Sequence, residues 1–158
     1  MNLEQSMDLA LAVFTQYESS TWDALEKAMY DSGISKLNAE RILEFMPLAF
    51  GRVMMRDSGV KFHDTYQRKK PGSSRSKKFS FADNEVFAAS LKYAERQANS
   101  RSGIERLTAV SARSPEMKTI QDLVNEGSDP KSIVLSSPVL GWTSKPENPG
   151  DKQWWQIW

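Results

Sequence analysis

The stretch KLNAERILEFMPLAFGRVMMRDSG, residues 36–59, decides the fold that the sequence predicts. Its apolar side chains recur with a period close to 3.6 residues on both sides of Pro47, which is the spacing of an α-helix. Between Leu43 and Phe50 they occupy more than one face, as in a helix that others surround. Since proline removes a backbone donor and clashes with the preceding turn, we expect a kink or break at Pro47. The stretch predicts a kinked central helix in the core.

Amphipathic segments on both sides of this helix predict the rest of a bundle. Asn38 is the cap expected for the central helix, and two segments with helical spacing precede it. Further helices are expected to begin directly after Ser80, Ser102 and Ser114, whose side chains suit the N-cap position. The prediction is an all-α fold of five to seven helices in a single domain over residues 1–158, a length that suits one core.

The segment HDTYQRKKPGSSRSKKFSF, residues 63–81, is the strongest electrostatic feature of the chain. It shows no sustained apolar period, so we expect a long basic loop over residues 63–79. Connections of this length without secondary structure are uncommon and are usually functional or disordered. Apolar and polar residues alternate in 60–62 and in 79–81, which favours a small β-hairpin between those two stretches. The candidate binding cations are Arg68, Lys69, Lys70, Arg75, Lys77 and Lys78.

Three interpretations of this basic segment stay open. It binds an acidic protein partner, it binds nucleic acid, or it is a solvated loop without a dedicated role, as many charge runs are. In the nucleic-acid hypothesis the cations of residues 61–78 contact successive phosphates. Tyr66 and Phe79 flank the cations and would stack on bases. No known nucleic-acid-binding motif accompanies them.

Charge is unevenly distributed along the chain, although the net charge is only +1. Residues 1–50 hold 3 Lys/Arg and 8 Asp/Glu, residues 51–113 hold 14 and 6, and residues 114–158 hold 4 and 6. This separation creates a basic face on a nearly neutral molecule, or it cancels internally if the acidic helices pack against the basic middle.

The end of the chain predicts an irregular, Trp-rich tail over residues 136–158. Three prolines and two glycines interrupt it before QWWQIW, residues 153–158. Exposed tryptophan is unfavourable, so the tail is expected to fold back on the core or to anchor a partner or a second copy of the chain. The candidate anchors are Trp154, Trp155 and Trp158.

Few residues of the chain are suited to catalysis. Without cysteine it has no disulfide, thiolate zinc site, iron–sulfur cluster or cysteine nucleophile. His63 is the one histidine, and its neighbour Asp64 cannot orient it as a triad requires. Glycine-rich phosphate loops are absent. Glu40 and Glu44 share a helix face, a pattern typical of a solvated surface. We expect no metal and no cofactor.

The start of the chain predicts a cytoplasmic location. Glu4 and Asp8 stand where a signal peptide would be basic, and no apolar run reaches the roughly 18–20 residues of a membrane span. We therefore expect a soluble protein that does not enter the membrane.

These observations predict a non-enzymatic protein-interaction protein. It would act as a regulator or stoichiometric inhibitor, of the antitoxin or immunity type, through the basic loop, the Trp-rich tail or both. The alternative is a nucleic-acid-binding protein that contacts phosphates through residues 61–78. An enzyme with a carboxylate-based site is the second alternative.

Overall fold

The computed structural model describes residues 1–17, 21–69, 76–135 and 139–141. Within these ranges the chain is mostly helical, and the predicted bundle of five to seven helices is confirmed. None of the described helices is both long and apolar enough to cross a membrane. The helices are α1 (Leu3–Gln16), α2 (Trp22–Asp31), α3 (Lys36–Met54), α4 (Glu85–Gln97), α5 (Arg101–Ser111) and α6 (Pro115–Asn125).

Helix α3 forms the centre of the core, as its periodicity predicts. It packs against each of the other five helices, and 11 of its 19 residues are buried. The helix continues through Pro47, which is itself buried. Because proline has no amide hydrogen, the carbonyl of Leu43 loses its usual helical partner. Packing from several sides therefore stabilises this helix where its own hydrogen bonds are incomplete.

The helices begin at polar caps, and some of these differ from the predicted ones. Ser114 accepts a hydrogen bond from the amide of Met117, as expected for the start of α6. Ser80 instead caps a 3₁₀ turn, Phe81–Asp83. Three predicted caps were wrong: α3 begins behind Ser35 rather than Asn38, α4 behind Asn84 rather than Ser80, and α5 behind Ser100 rather than Ser102.

Gly103 explains the early start of α5. A Cβ atom at this position would lie 1.7 Å from the carbonyl oxygen of Gln97. The first turn of α5 therefore lies directly against the end of α4, and only glycine permits that approach.

Five short strands accompany the helices within the described residues. Strand β1 pairs in parallel with β4, and β2 lies between β3, which is antiparallel to it, and β5, which is parallel. Two of the three strands between α3 and α4, β1 and β2, thus pair with strands that follow α6. The strands are β1 (Lys61–Phe62), β2 (Thr65–Lys69), β3 (Ser76–Ser80), β4 (Val134–Leu135) and β5 (Val139–Gly141).

The predicted hairpin near residues 60–81 is confirmed, but its strands are not the predicted ones. Residues 60–62 do not pair with residues 79–81. The partner of 61–62 is β4, and Phe79 lies opposite Tyr66. This register places two aromatic rings on the core side of the hairpin, where they stack with centroids 5.4 Å apart. Because burial of both rings is favourable, this register is favoured over the predicted pairing of residues 60–62 with residues 79–81.

The long basic loop predicted over residues 63–79 is wrong for most of its length. Residues 65–69 and 76–80 are strands, and the adjacent cations Arg68–Lys69 and Lys77–Lys78 interrupt the alternation of apolar and polar residues that would have indicated them. The irregular tail predicted over residues 136–158 is likewise wrong at 139–141, which form β5. The other residues of that tail lie outside the described ranges.

A second, smaller apolar cluster lies beside the main core. Val60, Ile120 and Ile133 are buried together, with Met117 and Leu123 among the half-buried residues around them. The cluster joins the approach to β1, helix α6 and the approach to β4. The parallel pair β1–β4 therefore has its own apolar support.

A buried ion pair connects α3 to α6 and to the start of the hairpin. The Arg52 guanidinium donates from Nε and Nη2 to the two carboxylate oxygens of Glu116, at 3.1 and 3.0 Å, and from Nη1 to the His63 carbonyl oxygen at 3.0 Å. The Arg52 and Glu116 side chains are only 10% and 5% exposed. Burial raises the pKa of the Glu116 carboxyl above its usual 4.5, and the hydrogen bonds from Arg52 partly offset that rise.

Aromatic rings surround the same guanidinium. Its Cζ atom lies 4.3, 5.0 and 5.4 Å from the ring centroids of Phe81, Phe62 and Phe87. A cation so close to ring faces gains electrostatic attraction while it is kept from water. The rings come from three different elements, so the arginine holds those elements in one arrangement.

We predict that Arg52→Met destabilises the fold by about 3–5 kcal/mol at pH 7, because it leaves the Glu116 carboxylate buried and without its partner. The double variant Arg52→Met/Glu116→Gln removes both charges and should recover more than half of that loss. Chemical denaturation followed by circular dichroism measures both values. A double variant that is less stable than Arg52→Met would contradict this interpretation.

The loss in Arg52→Met should also depend on pH. Without Arg52 the pKa of Glu116 rises further, and a carboxyl with a raised folded pKa stabilises the fold below its unfolded pKa. That stabilisation is lost as pH rises through the folded pKa. The deficit relative to the unmodified protein should therefore be smallest near pH 4.5 and increase toward pH 7. Denaturation curves at several pH values test the trend, and a constant deficit would contradict it.

Candidate functional site: a basic hairpin

The predicted binding cations fall on the hairpin formed by β2 and β3. Arg68 and Lys69 belong to β2, and Lys77 and Lys78 belong to β3. The side chains of Lys77 and Lys78 are exposed. The strands thus bring four of the six predicted cations into one ladder, in which Arg68 is opposite Lys77 and Lys78 is opposite Gln67. Lys70 and Arg75 lie outside the described residues.

An aromatic cluster attaches this hairpin to the bundle. Tyr66 is 5% exposed, and its ring centroid lies 5.4 Å from that of Phe45 in α3 and 4.8 Å from that of Phe81. Its hydroxyl accepts a hydrogen bond from the side-chain amide of Asn84, the cap of α4, at 3.0 Å. The orientation of the hairpin is therefore set by α3 and α4.

The same burial corrects one part of the nucleic-acid hypothesis. Tyr66 was expected to stack on bases, but its ring already packs between Phe45, Phe79 and Phe81. Phe79 is half-buried against it. A base cannot stack on the Tyr66 ring unless the hairpin detaches from the core.

The two lysines of β3 lack acidic partners among the described residues. No described carboxylate lies within ion-pair distance of either one. The Lys77 ammonium lies 5.3 Å from the ring centroid of Phe79, on the core-facing side of the strand. Lys78, the next residue, points to the opposite face. The strand therefore presents one positive charge on each of its faces.

Elsewhere the acidic N-terminal region and the basic middle do meet. Glu4 of α1 pairs with Arg96 of α4 at 3.1 Å, and the Tyr93 hydroxyl donates to Asp8. Some charge therefore cancels between α1 and α4, whereas no described carboxylate pairs with the β3 lysines.

Arg52 is the residue that the sequence-based prediction missed. Its hydrogen bond to the His63 carbonyl fixes the chain just before β2. The His63 side chain is exposed, and its backbone rather than its imidazole makes this contact. A signal for Arg52 does exist in the sequence, because it lies on the same helix face as Phe45 and Ala49. A cation on the apolar face of a central helix indicates a buried partner.

The described residues give little support for a catalytic site. No group of three or more histidine, aspartate or glutamate side chains among them is placed to hold a metal ion. A groove of about 980 Å³ lies between α1 and α4. Its charged side chains include the pairs Glu4–Arg96 and Arg56–Glu95, which are solvent-exposed. Such pairs are typical of a polar surface.

The predicted tryptophan anchors Trp154, Trp155 and Trp158 lie outside the described residues. Their role as interface anchors stays a prediction. The hairpin is therefore the candidate site that the structure can define.

Comparison with models of protein families, with curated proteins and with solved structures finds no match to this chain.

We predict that Tyr66→Ala destabilises the protein by about 3–5 kcal/mol, the usual loss for a large buried aromatic ring. Gln67→Ala is the matched control, since Gln67 is the next residue of the same strand and is exposed. It should change stability by less than about 0.5 kcal/mol. Thermal and chemical denaturation measure both variants, and equal effects would show that the ring does not attach the hairpin to the core.

Proposed function

We propose that this chain is a non-enzymatic protein-interaction protein whose basic hairpin binds an acidic partner protein. The observation that carries the proposal is the pair Lys77 and Lys78, exposed on an ordered strand and without a described acidic partner. A strand that is already folded loses little conformational entropy on binding, which favours affinity. The protein would act stoichiometrically, as a regulator or inhibitor.

The geometry favours an acidic protein over nucleic acid. Lys77 and Lys78 are adjacent in a strand, so their side chains lie on opposite faces. A phosphate backbone follows one surface, so it could not easily contact both lysines at the same time. A folded partner can contact both faces and the strand edge between them. The buried ring of Tyr66 also removes one of the two stacking platforms that single-stranded nucleic acid would use.

We further propose that the protein functions in a reducing compartment such as the cytoplasm. Its support is the absence of cysteine from the chain, because chains in such compartments do not rely on disulfides. The interaction itself uses exposed charges and does not depend on the redox state.

The proposal predicts that Lys77→Ala/Lys78→Ala weakens partner binding by about two- to thirtyfold, since each exposed ion pair contributes about 0.2–1 kcal/mol. Lys36→Ala/Lys118→Ala is the matched control, because it removes two exposed lysines from helices α3 and α6. Affinity capture from the native host with the unmodified protein identifies partners. Calorimetry with the purified partner then gives Kd for both double variants.

The outcome separates the protein hypothesis from its alternative. An acidic partner should be lost from the β3 variant and kept by the control, and its Kd should rise with salt. The proposal is wrong if both double variants bind the partner equally. It is also wrong if random-sequence DNA or RNA binds at about 50 mM salt, through the same lysines, more tightly than any captured protein.

A further inference from the structure

We propose that the partner binds by adding an extended acidic strand to the outer edge of β3. This inference rests on the proposed function and specifies how the hairpin recognises its partner. The strand order β3–β2–β5 leaves β3 at the end of its sheet. An extended peptide can extend such a sheet through main-chain hydrogen bonds, while its alternating side chains provide specificity.

The phase of the ladder shows which backbone groups face outward. The Phe81 amide donates to the Asp64 carbonyl oxygen at 2.8 Å, so this opposed pair is hydrogen-bonded. Bonded and non-bonded pairs alternate along an antiparallel ladder. The pair Tyr66–Phe79, two positions on, is therefore bonded, and Lys78 lies between bonded positions. The amide and carbonyl of Lys78 consequently point away from β2.

The outward side of β3 is open among the described residues. No described strand pairs with it, and no hydrogen bond from another described segment reaches the Lys78 backbone. Open edges are hazardous because any strand can pair with them, and lysines on an edge discourage uncharged strands. The lysines that exclude an uncharged strand attract an acidic one, which gives the edge a selective character.

The side chains of β3 define the residues that a partner strand should carry. A residue opposite Lys78 shares its outer face, where an acidic side chain pairs with the ammonium. The residues on either side of it lie on the other face, opposite Lys77 and Phe79. An acidic side chain suits Lys77, and an apolar one can cover the half-buried Phe79 ring. An antiparallel partner strand therefore carries, from its N-terminal to its C-terminal end, one apolar residue followed by two acidic residues.

The test uses capped ten-residue peptides with a central valine–glutamate–glutamate run flanked by threonines. In the predicted register the first glutamate faces Lys78, and its amide donates to the Lys78 carbonyl. The amide of the second glutamate points away from β3. Methylation of the first amide should weaken binding at least about tenfold, and methylation of the second by less than about threefold. The two methylated peptides have identical composition and charge, so each is the control for the other.

Fluorescence anisotropy gives the affinities, and hydrogen exchange gives an independent measure. The Lys78 amide should become protected when the unmodified peptide binds, whereas the Lys77 amide, already bonded to β2, should change little. Asymmetric methylation effects together with protection of Lys78 support strand addition.

Two kinds of failure are distinguishable. Equal affinities for the two methylated peptides, or no binding of the unmodified peptide while the full-length partner still depends on Lys77 and Lys78, overturn strand addition and leave the proposed function standing. No peptide binding together with loss of any dependence on these lysines overturns both.

Discussion

The buried guanidinium of Arg52 is the constraint on which the rest of the structure depends. A charge in an apolar interior is tolerated only where it is paired and hydrogen-bonded, and here Glu116 and the His63 carbonyl accept three hydrogen bonds from the guanidinium. These partners come from the start of α6 and from the chain just before β2. These contacts therefore fix the central helix, the second apolar cluster and the hairpin in position relative to one another. Arg52 thus positions the proposed binding surface, although a partner bound there would not contact it.

The central helix could be predicted from sequence because its signal is local and strong. Its period persists through Pro47 since burial on several sides, rather than backbone bonding alone, determines the conformation. Ser114 could be recognised as a cap because its sequence signal is also local. The starts of α3, α4 and α5 were less predictable, since several polar residues compete at each start and packing selects one. At Gly103 that selection is visible as direct contact between two helix ends.

The hairpin was only partly predictable. Two stretches with alternating residues were visible in the sequence, but the partner of each depended on distant segments. Strand β1 pairs with β4, which follows α6, and this leaves Phe79 to pair with Tyr66. The cations of the candidate site were evident from composition. Their division between two faces, and the open edge beside Lys78, depend on strand register and on neighbouring strands, which no local pattern encodes.

The parallel pairing of β1 with β4 has a consequence for the order of folding. Lys61 pairs with Val134 across five intervening strands and helices, β2, β3, α4, α5 and α6. Contacts between residues so far apart in sequence form late, because closing the loop between them has an entropic cost that local helices do not bear. The parallel pairs β1–β4 and β2–β5 would thus form after the helices, and during synthesis the hairpin would lack its parallel neighbour β5 until the chain beyond α6 had emerged. The hairpin would therefore gain the support of β5 only when the fold is completed.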